Sequence, residues 1–154
     1  MKPEQAALHA ALEDIFRSFA YLELQARDEE ADRSIEFHVC AEVSLGEPEE
    51  GAVAVFLTAE AAAMVSDHFI GGQSTDSDQD DVVRELANVI AGSVCSLVPQ
   101  APRRKLGIPR LVPKDQVQSQ WERSLRPQRL VLADEEKVYA GVVLNSREGR
   151  AGAS

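Results

Sequence analysis

Residues Ser77 to Pro99 read as one long helix with two unlike faces, and such a helix has to lie on something. At about 100° per residue, Val82, Val83, Leu86, Ile90, Val94 and Leu97 project to one side, with Ala87 and Ser93 at the flanks. Asp81, Glu85, Asn88, Gly92 and Ser96 project to the other side, inside an arc of about 80°. The apolar stripe requires a sheet or other helices beneath it. Ser77 suits the cap, and Pro99 stops the helix.

The rest of the chain supplies that support. Leu8, Leu12, Ile15, Phe16, Phe19 and Leu22 recur at helical spacing behind Pro3, which predicts an amphipathic helix over residues 3–25. Residues 26–34 are polar throughout and read as an exposed connection. Ile35, Phe37, Val39, Ala41, Val43 and Leu45 then alternate with Glu36, His38, Cys40, Glu42 and Ser44, a strand with one wet face that a partner could cover. Gly46 to Gly51 is turn chemistry, and the apolar run Ala52–Leu57 closes a hairpin. Thr58 can cap an alanine-rich helix over Ala59–Ile70, which Gly71-Gly72 ends.

Beyond Pro99, four prolines break residues 99–114 into short extended pieces. Val117–Leu125 reads as a further strand, and Gln128–Ala133 and Val138–Leu144 as two more, joined by the turn Asp134–Lys137. The expectation is a single α+β domain over residues 1–145, with its core over 35–145: a mostly antiparallel sheet with two long helices layered on it. Residues 146–154 read as a disordered tail.

Charge narrows the function. Residues 1–100 hold 5 Lys/Arg against 20 Asp/Glu, and residues 101–154 hold 11 against 6. An acidic majority argues against nucleic acid or an anionic membrane as partner. No apolar run is long enough to span a bilayer, and the start, Met1-Lys-Pro-Glu-Gln, has no signal pattern, so a cytoplasmic protein is expected. Cys40 and Cys95 lie far apart with no Cys-x-x-Cys spacing, and read as two small buried or half-buried thiols in a reduced compartment.

Most routes to chemistry close on inspection. His38 and Cys40 share the wet strand face with Glu36 and Glu42, but His9 and His68 lie on other elements, so the four convergent ligands of a zinc site are not expected. Ser66, Asp67 and His68 are consecutive on a helix and point apart. Gly71-Gly72 is no phosphate loop, since no Gly-Lys-Ser/Thr follows. The polar stripe of the long helix remains. Glu85 and Asn88, three apart, project side by side, and Gly92 would let another surface approach. Asparagine costs about half a kcal/mol and glycine about 1 kcal/mol in a helix interior relative to alanine. Two unfavourable residues on one exposed stripe hint at a task other than helix stability.

Asp81-x-x-x-Glu85-x-x-Asn88 resembles the Asp/Ser-x-x-x-Glu-x-x-Asn signature of the CheC/CheX/FliY chemotaxis phosphatases. The order of hairpin, alanine-rich helix and signature helix is similar to that of CheX-like domains, as is the proline-bearing stretch Leu106–Pro113. One signature helix, where CheC and FliY proteins usually carry two, points to the CheX-like branch. Pro109 and Pro113 bracket the place where the family pattern puts a proline.

The resemblance implies a phosphatase of phospho-aspartyl, CheY-like receiver domains. Glu85 would pair with the receiver's active-site lysine, and Asn88 would hold the attacking water. Asp81 and Gly92 would serve docking. It also implies that the receiver brings its own Mg²⁺, so that this chain needs no cofactor, and that the chain is a homodimer. The alternative is a CheX-like adaptor that binds a receiver or another signalling partner without hydrolysis.

Overall fold

The computed structural model describes residues 3–27, 35–46, 51–97, 106–124, 129–136 and 138–146. The first helix, α1 (Pro3–Ser18), buries Leu12, Ile15 and Phe16 but ends seven residues short of the expected Gln25. Tyr21 adopts a left-handed backbone, φ 57°, which turns the chain back so that the Leu22 N–H donates to the Phe16 carbonyl at 2.9 Å. Leu22 and Leu24 are buried at period two and lead into an edge strand, β1 (Gln25–Arg27). Glu13 ties strand to helix, its Oε2 accepting from the Ala26 N–H at 3.0 Å.

The hairpin forms as expected. β2 (Val39–Leu45) pairs antiparallel with β3 (Gly51–Leu57), from Val39 opposite Leu57 to Leu45 opposite Gly51. Gly46, φ 83°, starts the turn in a conformation that favours glycine. Thr58 caps α2 (Ala59–Ile70), its Oγ1 accepting from the Ala61 N–H, and Gly71 ends the helix left-handed at φ 77°. The long two-faced helix, α3, runs from Asp76 to Leu97.

The remainder comprises β4 (Arg110–Leu111), a 3₁₀ turn (Lys114–Gln116), α4 (Val117–Arg123), β5 (Arg129–Ala133) and β6 (Tyr139–Ser146). Among the described residues the strands make one antiparallel sheet in the order β1-β5-β6-β3-β2-β4. Ser146, assigned to a tail by the sequence, pairs with Gly51 in β6. Residues 147–154 lie outside the described residues, as do Pro99 and most of the 26–34 connection.

Helices α1, α2 and α3 cover one sheet face around the large core, so α1 joins the two layered helices expected. The other face is where the sequence misleads. Val117–Leu125 is not a strand: Val117 and Trp121, four apart, are buried by a helical turn. With Phe37, Cys40, Phe56 and Val112 they form a second, aromatic core. The rings of Phe37, Phe56 and Trp121 stand 4.6–5.6 Å apart. Gln118 of α4 grips the segment before β2, its Oε1 accepting from the Phe37 N–H at 2.7 Å and its Nε2 donating to the Ile35 carbonyl at 3.0 Å. Ile35 and Phe37 therefore pack with Cys40 rather than with Val39, and the face expected to be wet is partly covered by the chain itself.

Candidate functional site

The site is built on α3. The capping residue is Thr75 rather than Ser77: its Oγ1 accepts from the Asp78 N–H at 3.2 Å, and Asp78 Oδ2 accepts from the Thr75 N–H at 2.8 Å. This reciprocal pair is a capping box with aspartate in the acidic position. A second link fixes the approach from α2. Asp67 Oδ1 accepts from the Ser74 N–H at 2.8 Å and from its Oγ at 2.5 Å, which holds the Asp67 carboxyl below its ordinary range.

Along α3, Val83, Leu86, Ala87, Ile90, Ala91 and Val94 are buried against β2, β3, α1 and α2. Val82 is half-buried, and Leu97, expected in the buried stripe, is 42% exposed at the helix end. Asp81, Glu85 and Ser96 are exposed, and Asn88 and Gly92 half-buried, so the expected stripe stands clear of the core. Asp81 is ion-paired to Arg84, one turn on. Glu85 and Asn88 are three apart on the helix, about 5–6 Å between Cβ atoms, and neither makes a side-chain hydrogen bond or ion pair among the described residues. A Cβ placed on Gly92 would meet nothing within 4 Å, so internal packing gives no reason for glycine there. Nearby, Ser96 Oγ donates back to the Gly92 carbonyl at 3.1 Å.

The proline-bearing stretch flanks this helix along the sheet edge. Leu106 bridges to Leu45, the Gly107 N–H donates to the Ser44 carbonyl at 2.8 Å, and β4 pairs with Ala41 and Glu42 of β2. Gly107 fits closely there: a Cβ would come within 3.1 Å of Ser44 Cβ, so a larger residue would press on that side chain. The Val112 N–H donates to the Cys40 carbonyl at 2.9 Å, and Lys114 then reaches Asp80 of α3 at 3.3 Å. Sequence reasoning missed Asp80, Arg84 and Lys114 as parts of this neighbourhood. The helical spacing of Asp81 and Arg84 could have shown one pair, but no local signal brings Lys114 to Asp80.

The other candidates come apart. Cys40 is buried beneath Val112, its thiol pushed far up by burial and by the Glu42 carboxylate, while exposed His38 lines a separate cleft of about 550 Å³ with Thr58, Glu60 and Tyr139. Among the described residues no three His, Cys, Asp or Glu side chains are grouped to hold a metal ion. Ser66 is buried, Asp67 is committed to Ser74, and His68 stacks on Tyr21 at 3.8 Å, so they form no catalytic unit.

What the α3 stripe offers is a carboxylate, a carboxamide and a bare stretch of backbone on successive turns of one exposed to half-buried helix face. Groups presented in this way suit contact with a macromolecular partner.

No protein-family model and no curated protein sequence matches the chain. Solved structures do. CheX from Vibrio vulnificus is similar at 12% identity and a TM-score of 0.67, over 93% of this chain and 97% of that one. A CheX–CheY–BeF3–Mg²⁺ complex from Borrelia burgdorferi is similar at 15% identity and a TM-score of 0.64, over 94% and 97%. A CheC-like superfamily protein from a Shewanella species is similar at 14% identity and a TM-score of 0.61, over 94% and 99%. The chain has the fold of the CheX and CheC-like chemotaxis proteins, in one domain.

Proposed function

We propose that this CheX-like chain is a phosphatase of phosphorylated CheY-like receiver domains, with α3 as its half of the active site. One observation carries the reading: Glu85 and Asn88 stand side by side on the exposed stripe of a well-packed helix, with no partner of their own among the described residues. The CheX of similar fold crystallised with CheY supports a receiver as the partner class.

The chemistry follows from what each group can do. Hydrolysis of an acyl phosphate passes through a loose transition state, so holding a water in line with phosphorus contributes more than a strong base. The Asn88 carboxamide oxygen can accept a hydrogen bond from that water while its NH₂ donates elsewhere, which fixes orientation without titration. Glu85 would dock through a charge-assisted hydrogen bond to the receiver's active-site lysine. Asp81, engaged with Arg84, would border the contact, and Gly92 would let the receiver's backbone come close. The phosphoryl group and its Mg²⁺ belong to the receiver, and the chain works in the cytoplasm as a homodimer joined through a sheet edge. Among the described residues the short outer strands Gln25–Arg27 and Arg110–Leu111 end the sheet, and such pairing would use one of them. A single species of twice the chain mass in light scattering is expected, and a monomer at all concentrations would remove that part.

Loss of phosphate from a phosphorylated receiver, with and without this protein, tests the activity. Asn88→Ala should slow turnover about a hundredfold with little change in KM. Glu85→Ala should chiefly raise KM. If wild type binds the receiver and does not accelerate phosphate loss, the chain is an adaptor.

A further inference from the structure

Nothing in the signature assigns a role to Asp80 or Lys114. Yet their ion pair joins α3 to structure on the opposite side of the sheet. Lys114 is rigidly mounted. Val112, just before it, is buried in the second core and bonded through its N–H to the Cys40 carbonyl. Pro113 fixes the next backbone angle at φ −54°, and its carbonyl accepts from the Gln116 N–H at 2.8 Å, closing the 3₁₀ turn that starts at Lys114. From this mount the Lys114 ammonium reaches around the sheet edge to Asp80 Oδ1 at 3.3 Å, across a cleft of about 190 Å³ that Val39, Cys40 and Leu111 help to line. That carboxylate oxygen is shielded from solvent and has no hydrogen-bond donor beyond this ion pair among the described residues.

We propose that the Lys114–Asp80 pair is a positioning clamp that sets the rotation of α3 about its own axis, and with it the aim of Asn88; the role in turnover rests on the phosphatase reading. Below its stripe α3 is held by apolar contacts with Val83, Leu86, Ile90 and Val94, which are non-directional and permit small rotations. An ion pair on the flank adds a directional restraint. Rotating a helix by about 10° moves a side-chain tip lying roughly 6 Å from the axis by about 1 Å. A misplacement of that size costs up to about a hundredfold in rate. With Lys114 47% and Asp80 25% exposed, the pair adds little to stability, so its removal affects aim more than folding.

The test uses wild type, Lys114→Met, Asp80→Asn and Lys114→Arg. It measures dephosphorylation of a phosphorylated receiver and, on the protein alone, NMR residual dipolar couplings of the α3 backbone amides, which report the orientation of the helix. Lys114→Met and Asp80→Asn should each lower kcat about tenfold with KM unchanged and a melting temperature within about 3 °C of wild type. Both should shift the α3 couplings, and Lys114→Arg should restore kcat and the couplings. Wild-type kcat in the Met and Asn variants, or unchanged α3 couplings, overturns the clamp. If wild type itself fails to accelerate phosphate loss, the phosphatase reading falls, and the α3 couplings alone then decide whether Lys114 orients α3.

Discussion

Gly92 is the residue at which helix stability and function are expected to disagree. Its environment is open, so alanine fits without strain and recovers the helix propensity that glycine forfeits, about 1 kcal/mol. In a domain of this size Gly92→Ala should raise the melting temperature by about 2–4 °C. The added methyl stands on the proposed docking stripe, however, so on that reading the same variant should weaken receiver binding at least several-fold. Calorimetry and a binding titration on one preparation check both, and equal affinity would remove Gly92 from the contact. Cys40 shows the limit of residue-level reading. Strand alternation puts it on a wet face, whereas Val112 and the aromatic core bury it and push its thiol well up. Little thiolate forms at pH 8, so Cys40 should resist alkylation in the native protein and react on unfolding, as mass spectrometry of the labelled peptide would show.

Elements with a clean local signal were legible in the sequence. Thr58 and Gly71 bound α2 at the places their chemistry predicts, and β2 and β3 pair as the hairpin expected on either side of the glycine-bounded turn segment. The elements that were not legible depend on distant partners. Leu22 extends the helical pattern of α1, but a left-handed Tyr21 lets Leu22 and Leu24 bury themselves as extended chain instead. Val117 to Leu125 suggests a strand until Phe37 and Phe56, far off in sequence, supply a surface that a helical turn bearing Trp121 can cover. Gly141 on β6 permits that covering. A Cβ there would lie 2.6 Å from Trp121 Cζ3 and 3.0 Å from Phe37 Cζ. Gly141→Ala should cost about 1–3 kcal/mol in denaturant unfolding while leaving the α3 face intact.

The α2–α3 connection should respond to acid. Because Ser74 depresses the Asp67 carboxyl from 3.8, the bond stabilises the fold above that unfolded value. The contribution is lost as pH falls through the lower folded value. The melting-temperature gap between wild type and Ser74→Ala should therefore be full near neutrality and narrow in acid; a gap independent of pH would contradict this.

At the scale of the whole molecule, two layers of helix grip one antiparallel sheet, and the grip determines what α3 can present. The face beneath α3 is closed by the large core, the far face is partly covered by the aromatic core, and the edge strap from Gly107 to Lys114 joins the two. The α+β class and the polar stripe of Asp81, Glu85, Asn88 and Gly92 were legible because both are periodic within one segment. The strap and the second core were not, because they join residues tens of positions apart. In the proposed reaction Asn88 holds a water at a phosphoryl group that another protein supplies. Phosphate loss from a phosphorylated CheY-like receiver, timed with wild type and with Asn88→Ala at saturating concentration, tests this most directly. Acceleration by wild type is expected, with about a hundredfold slower turnover for Asn88→Ala at similar affinity. Equal rates for the two proteins, or no acceleration by wild type, would contradict it.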